Sequence, residues 1–514
     1  MQNAAQGLPM KLKSLLAAVE PLEIAGPADP DVAGLACDSR VVAAGTLFFA
    51  LPGVKVDGCD YIPQAIAGGA TAVVAERFPE SLEASVCYIR VASARRAMAL
   101  MANRFYGDPS QGIPVIGVTG TNGKTTVTYL LEAILKCRGL SPAVFGTVEY
   151  RFGDERRAAS HTTPESIELL RLLRDFRDLG ADALIMEVSS HALEQHRVDG
   201  IHFDLAIFTN LTSEHLDYHL DMERYFASKK RLFTELLEGG VAVVNREDAY
   251  GVRLLEECGG VSFGLDERAD LFPEQISVGR TGIQGNFSGQ DEAVRIDSGL
   301  IGDFNVSNLL AAVAAARQLG IDPSVIAEGI RAMAQVPGRV ERVKNRKGVL
   351  ALVDYAHTGD ALEQVLKTLS KLEHRRLLCL VGCGGDRDPG KRPVMAAIAV
   401  NYANLAVFTS DNPRTEDPLR ILEQIRVGAL QAGGVELSEQ DAAGGRDGFV
   451  MIPDRRAAIA FACSLAGEGD LLLVAGKGHE DYQILGTEKI HFDDREELDR
   501  FLNQSAGADG GRHV

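Results

Sequence analysis

Residues 115–137 read VIGVTGTNGKTTVTYLLEAILKC, and this stretch decides the fold class. The apolar run at 115–118 predicts a short buried strand. From 125 to 137, Val127, Leu130, Leu131 and Ile134 recur on one helical face until Gly139 stops the pattern. Strand, glycine loop and helix in that order make a phosphate cradle. Backbone N–H groups at the positive helix end meet the anion, a lysine reaches the terminal phosphates, and a hydroxyl holds Mg²⁺. Counted from Gly117, the distance to Gly123 is one residue longer than the standard pattern, and Val118 stands where a glycine is usual. The mechanics survive, because Gly120, Thr121, Asn122, Gly123, Lys124, Thr125 and Thr126 keep the turn, the lysine and the hydroxyls.

Outward from this stretch, short apolar runs at 183–188, 206–209 and 241–244 alternate with helix-like segments. The rhythm resumes at 349–353, 377–381, 405–409 and 471–474. Such alternation predicts an α/β protein with mostly parallel sheets. A chain of 514 residues exceeds one core, and its length suggests about three domains. Two seams rich in breakers, GDPSQGIP at 107–114 and QVPGR at 335–339, mark the divisions. The expectation is an N-terminal α/β domain at 1–108, a central P-loop domain at 109–336, a C-terminal Rossmann-like domain at 337–502 and a flexible tail at 503–514.

Composition narrows the function classes. With 46% apolar and 24% charged residues, the chain reads as an ordinary globular protein. Fifty-three basic residues against 71 acidic ones give a net charge of −18, which opposes a general grip on nucleic acid or anionic membrane. The eight cysteines include no CxxC pair and read as free, buried thiols in a reducing compartment. Lys11 and Lys13 precede an apolar stretch at 15–19, but Glu20 and Glu23 cut it below signal-peptide length. No apolar run nears the roughly 18 residues of a membrane span. A cytoplasmic monomer with no nucleic-acid partner and no membrane span is expected.

Chemistry-bearing residues gather where strands end. Glu187 closes the run at 183–188, the edge of an α/β sheet where ligands collect. TNLTSEHLDYH at 209–219 follows another strand; taken alone such a loop is as often a solvated surface as a metal site, and beside the phosphate loop Glu187 with His215 suits a shared divalent cation. Four strands of the last block end in DYAH at 354–357, GCGGDRD at 382–388, SDNPR at 410–414 and GKGHED at 476–481. Four polar endings on one sheet edge make a binding crevice. Arg387 and Arg414 suit a carboxylate held bidentately, and Asp411 and Glu480 suit an ammonium group, a combination that fits an amino acid. By the residues alone, Lys229 and Lys230 read as a solvated helix face.

The chain resembles the Mur ligases over nearly its whole length. The likeness rests on DSR at 38–40, GTNGKTT at 120–126, HTTP at 161–164, MEVSSHALEQHR at 186–197, TSEHLDYH at 212–219, FASKK at 226–230, DYAHT at 354–358, GGDRDPGKRP at 384–393, DNPR at 411–414 and GKGHE at 476–480. It is nearest to the members that add 2,6-diaminopimelate. The resemblance implies a three-domain ligase in which the first domain holds a uridine diphosphate sugar, the second ATP and the third the incoming amino acid. The substrates it implies are UDP-N-acetylmuramoyl-L-alanyl-D-glutamate, meso-diaminopimelate and ATP, with two Mg²⁺ ions. Position by position, it makes Ser39, Thr162, Thr163, Ser189, Gln195 and Arg197 contacts to the nucleotide-sugar-peptide, and adds Asn305 to the ATP contacts of the loop. Arg387, Asp411, Asn412, Pro413, Arg414, Gly476 and Glu480 form the diaminopimelate pocket, with Arg414 on the carboxylate that lysine lacks. Lys229 stands where the family carries a lysine carbamylated by CO₂. With Thr125, Glu187 and His215 it would hold metal, and Lys124, Glu187, His215 and Lys229 are the catalytic set. The stretch after DYAHT runs Gly359-Asp360 where proline is common, which leaves the local turn open.

Rival readings are a Mur ligase that adds L-lysine and a folylpolyglutamate synthase, which shares the glycine loop and the modified lysine. DNPR together with HTTP argues against the synthase. A nucleotide-operated switch, from another class, has no use for an amino-acid crevice.

Overall fold

The computed structural model describes residues 9–53, 56–289 and 292–503; the tail expected at 503–514 lies outside them save for its first residue. The chain packs as two compact units: Met1–Phe272 with Ser288–Val294 and Ser307–Gly329, and Pro273–Phe287 with Arg295–Val306 and Ile330–Val514.

Two sheets form most of the first unit, beside a short antiparallel pair of Met10–Lys11 with Asp31–Val32. The smaller runs Glu23–Ala25, Cys87–Arg90, Ala70–Ala75, Thr46–Ala50, Gly34–Ala36, parallel except at the Glu23–Ala25 edge. The larger places Val115–Thr119 between Ala183–Glu187 and Leu205–Phe208, with Pro142–Phe145 beyond the first and Val241–Asn245 and Val261–Phe263 beyond the second. All of these pairs are parallel. Helices cover the faces of such a sheet, so its strands read as unbroken apolar runs, and every residue of Val115–Thr119 is buried. The helix Lys124–Cys137 buries Val127, Leu130, Leu131 and Ile134, the four positions that its periodicity singled out. Each such side chain contributes roughly 1.5–3 kcal/mol on burial. Gly117, from which the loop spacing was counted, lies mid-strand as the run at 115–118 predicted, where a Cβ would stand 2.8 Å from the ring of Phe203. The extra residue in the spacing is therefore strand, and the loop proper begins at Gly120.

The second unit is built on the order Glu341–Val343, Leu350–Asp354, Leu471–Ala475, Leu377–Cys383, Leu405–Ser410, Gly448–Met451, parallel except at the Glu341–Val343 edge. The four strands read from sequence are its centre. Thr358 caps the helix Gly359–Leu369 by accepting from the Ala361 N–H, so the turn closes with glycine in the place of proline. The stretch at 335–339, read as a linker, packs within this unit: the Gly338 N–H donates to Glu341 at 2.7 Å and its carbonyl accepts from the Tyr355 N–H at 2.9 Å.

All eight cysteines are free. Cys87, Cys379, Cys383 and Cys463 are buried as expected, whereas Cys37 is exposed. Among the described residues no helix is long and apolar enough to cross a membrane.

Candidate active site

The phosphate loop is shaped by a neighbouring strand end. Thr209 and Asn210 follow Leu205–Phe208, and they grip the loop through Thr209 Oγ1 to Asn122 O at 2.6 Å, the Asn122 N–H to Asn210 Oδ1 at 2.9 Å and the Thr121 N–H to Asn210 O at 2.8 Å. Gly120 (φ +141°) and Gly123 (φ +89°) take conformations other residues avoid. A Cβ on Gly120 would lie 1.9 Å from Thr209 Oγ1, and one on Gly123 2.3 Å from Asn308 Oδ1. Lys124 folds back so that its ammonium donates to Gly120 O at 2.9 Å and Thr121 O at 2.7 Å. Thr125 and Thr126 are buried in the first turn of the helix.

Lys229 departs most from the sequence reading. Rather than facing solvent it is 2% exposed and donates to the same Gly120 carbonyl at 2.9 Å, with its nitrogen 4.7 Å from the centre of the Tyr225 ring. Lys230 keeps the surface role and pairs with Glu257 at 2.8 Å. Burial, and then the charge of Lys124, push the Lys229 amine well below its ordinary pKa, against a smaller pull from Glu214. Burial of this kind favours the neutral amine over the ammonium.

Glu187, at the end of its strand and 1% exposed, is held by the Thr147 N–H at 2.9 Å and the Thr147 hydroxyl at 3.0 Å. His215 opens the helix Leu216–His219 in a left-handed conformation (φ +58°), its ring 4.9 Å from that of His191. Among the described residues no three His, Cys, Asp or Glu side chains stand together as a metal cage. The groups that the sequence reading names for metal are the Thr125 hydroxyl, the Glu187 carboxylate and His215, a largely oxygen set of the chemical kind that Mg²⁺ takes, its shell commonly completed by phosphate oxygens and water.

Most residues assigned to the nucleotide-sugar-peptide meet in one network. Thr163 Oγ1 donates to Glu187 O at 2.8 Å and accepts from the Ser189 N–H at 3.1 Å. Arg197 donates to Thr163 O at 2.9 Å and to Gln195 Oε1 at 2.8 Å and pairs with Glu165 at 2.8 Å. Thr162 joins through Thr147 at 3.1 Å. Ser39 lies in the smaller sheet's domain, and its buried hydroxyl donates to Gln64 Oε1 at 2.9 Å. Asn305 is counted with the second unit; it is buried in the first turn of Phe304–Gln318 and donates to Ile301 O at 2.8 Å.

In the second unit the strand ends converge as expected. Asp411 and Asn412 follow Leu405–Ser410, and Gly476 (φ +112°) and Glu480 follow Leu471–Ala475. Asn412 donates to Glu480 Oε2 at 3.0 Å. Pro413 is buried beside them. Arg414 has φ +53°, a strained choice for a side chain this large, and the hairpin after Tyr482 holds it. Its N–H donates to Ile484 O at 3.1 Å, its carbonyl accepts from the Gly486 N–H at 2.8 Å, and its guanidinium donates to Gly385 O at 2.8 Å. Arg387 is exposed and, among the described residues, its hydrogen bond is to its neighbour's Asp386 carbonyl, at 3.5 Å, so the structure does not draw it into this group.

Sequence reasoning gave three cations no role. Lys477 is fully buried among Asp411, Asn412 and Glu480. Arg392 pairs bidentately with Glu416 at 2.7 Å and donates to Gly384 O at 3.1 Å. Arg455 pairs with Asp494 at 2.7 Å and donates to the carbonyls of Ala475 and Ser410, tying two strand ends to the final helix. Only Lys477 carried a local signal, since it is flanked by glycines at a strand end.

A glycine loop with two lysines on one of its carbonyls, and a sheet edge lined with paired charges, define the class: a nucleotide-triphosphate-dependent enzyme that handles a charged small molecule. Family models give the particular family. "Mur ligase family, catalytic domain" matches 31–106, "Mur ligase middle domain" 118–316, and "Mur ligase, glutamate ligase domain" 338–478. The UDP-N-acetylmuramoyl-L-alanyl-D-glutamate–2,6-diaminopimelate ligase of Geobacter sulfurreducens is 51% identical over 501 residues, 95% of this chain and 98% of that one. The ligase of the same name from Geobacter metallireducens is 50% identical over the same shares. A solved structure of a ligase of that name superposes with TM-score 0.67 at 34% identity, covering 92% of this chain and 95% of the other. The chain belongs to the Mur ligase family.

Proposed function

We propose that the chain adds meso-2,6-diaminopimelate to the D-glutamyl γ-carboxylate of UDP-N-acetylmuramoyl-L-alanyl-D-glutamate, converting ATP to ADP and phosphate in peptidoglycan precursor synthesis. The observation that carries this reading is Arg414: a guanidinium held by the Gly385 carbonyl, with its backbone pinned by a hairpin, at the sheet edge whose strand ends also carry Asp411 and Glu480, suited to an amino-acid end with both carboxylate and ammonium.

A carboxylate resists attack by an amine because its oxide does not leave. In the reaction the γ-carboxylate oxygen attacks the terminal phosphorus of ATP and ADP departs, leaving an acyl-phosphate. The amine then attacks the acyl carbon, loses a proton, and phosphate leaves. Such steps depend on placement and charge stabilisation. Lys124, at the mouth of the loop, stabilises charge on the transferring phosphoryl group, and the Gly120–Thr126 backbone orients the nucleotide, with Asn305 a further contact. Thr125, Glu187, His215 and a carbamylated Lys229 would hold Mg²⁺, which supplies Lewis-acid stabilisation of phosphate and acyl oxygens. Thr162, Thr163, Ser189, Gln195 and Arg197 orient the peptide end of the acceptor, with Ser39 at the nucleotide-sugar. Asp411, Asn412, Pro413, Arg414, Gly476 and Glu480 seat the diaminopimelate, and Arg387, exposed in the structure, would have to turn inward to join them. The use of ATP and a nucleotide-linked acceptor supports a cytoplasmic reaction.

The test supplies purified protein with ATP, Mg²⁺ and the UDP-linked dipeptide, offers meso-diaminopimelate or L-lysine, and records the product by mass. Ligation of diaminopimelate with at least tenfold preference is expected. Preferential addition of lysine overturns the reading of Arg414, and ATP turnover independent of both other substrates favours a switch.

A further inference from the structure

Lys477 has no part in the scheme above, yet its position is unusual. Its side chain is 0% exposed, in a site whose other charges face a crevice. Its nitrogen lies 3.2 Å from Asp411 Oδ1, 3.2 Å from Asn412 Oδ1 and 3.4 Å from Glu480 Oε2. All three distances exceed the roughly 2.7–2.9 Å of a tight charge-assisted bond. The ammonium is therefore shared among the groups expected to receive the substrate and is not locked to one of them. Asn412 is fixed in turn by the Ile484 N–H at 3.0 Å, and the Asp411 carbonyl by Gln483 Nε2 at 2.7 Å, so the shared ammonium acts on a framework held from outside.

The charges decide what this arrangement selects. Asp411 and Glu480 contribute two negative charges, Lys477 and Arg414 two positive ones, and the set sums to zero. A neutral set suits an amino-acid end that itself carries one ammonium and one carboxylate. A bare ammonium, as at the end of a lysine side chain, would leave Arg414 unanswered and the set one positive charge in excess. Without Lys477 the set would be net negative and would favour the bare ammonium. We propose that Lys477 is a positioning residue that determines specificity: by neutralising one of the two carboxylates, it makes the crevice select an amine bearing a second carboxylate over one that lacks it. This rests on reading the crevice as the amino-acid site. A lysine that only stabilises the fold would alter all substrates alike, whereas this role alters the discrimination between two amines.

The test measures kcat/KM for meso-diaminopimelate and for L-lysine at saturating ATP and UDP-linked dipeptide, together with KM for ATP. In Lys477→Met, close in length and without the charge, the diaminopimelate-to-lysine ratio falls about tenfold or more while KM for ATP stays within about twofold. Asp411→Asn, which makes the set net positive, raises the ratio, and Lys477→Met with Asp411→Asn brings it back toward the wild-type value. A ratio within twofold of wild type in folded Lys477→Met overturns the proposal. If that variant does not fold, Asp411→Asn and the double variant decide: equal ratios in the two overturn it, and a lower ratio in the double variant upholds it. Wild-type protein that ligates neither amine sinks the reading of the function, while ligation with a ratio fixed across the variants sinks the role of Lys477 alone.

Discussion

The phosphate loop of the first unit and the crevice of the second both sit at the C-terminal ends of parallel strands, yet they are built from different material. The loop is made of backbone. Its shape depends on two glycines in unusual conformations, on Thr209 and Asn210 gripping peptide groups, and on two lysines that share the Gly120 carbonyl. The crevice is made of side chains whose charges balance: Lys477 among Asp411, Asn412 and Glu480, and Arg414 pinned by a hairpin. A polyphosphate is recognised by many converging N–H groups, which only backbone supplies densely. An amino acid is recognised by a few opposite charges, which only side chains supply. One site should therefore break when a Cβ is added, and the other when a charge is removed.

The largest effect is expected where the loop relies on a side chain. Lys229→Ala should cut kcat by about 100-fold or more, with partial recovery when short carboxylic acids replace the missing carbamate. Full activity of this variant would remove the carbamate role. A smaller and more diagnostic contrast comes from two alanines. In Gly120→Ala the new methyl meets Thr209 Oγ1 at 1.9 Å, whereas in Gly384→Ala it meets the far end of the long Arg414 side chain at 3.0 Å. The first should cost about 1–3 kcal/mol in denaturant unfolding and weaken ADP binding in calorimetry. The second should leave both nearly unchanged. Equal costs would mean that the loop is not backbone-limited.

The smallest effect concerns acid. Burial, and then Arg339 and Arg495, push His479 down to about 4 from an ordinary 6.5. Between those values the unfolded chain binds a proton that the folded one refuses, so stability is lost as pH falls through that window and is unaffected above it. His479→Phe should therefore lose several fewer degrees of melting temperature than wild type on acidification from about pH 7 to about pH 4.5. Parallel curves would show that the histidine is not held neutral beside Tyr355, whose ring lies 4.9 Å away.

The same difference in material explains what the sequence revealed. The strand at 115–119 and its helix were legible because apolar periodicity is local, and the four strand ends of the second unit were legible because each carries its own polar cluster. What escaped depends on distant partners. Lys229 reads as surface until the helix Met222–Thr234 is seen to turn it toward a carbonyl 109 residues away in the chain. Arg455 finds Asp494 across 39 residues, and no spacing announces it. Gly117 lies inside the strand read at 115–118, and only its neighbour Phe203 shows why the loop pattern should not be counted from it. Arg387 belongs to a matching motif, but position in a motif does not say whether a side chain points inward.

The shared carbonyl of Gly120 has one more consequence. Lys124 and Lys229 each donate to it, so removing either lysine would leave this turn of the loop with one side-chain donor in place of two.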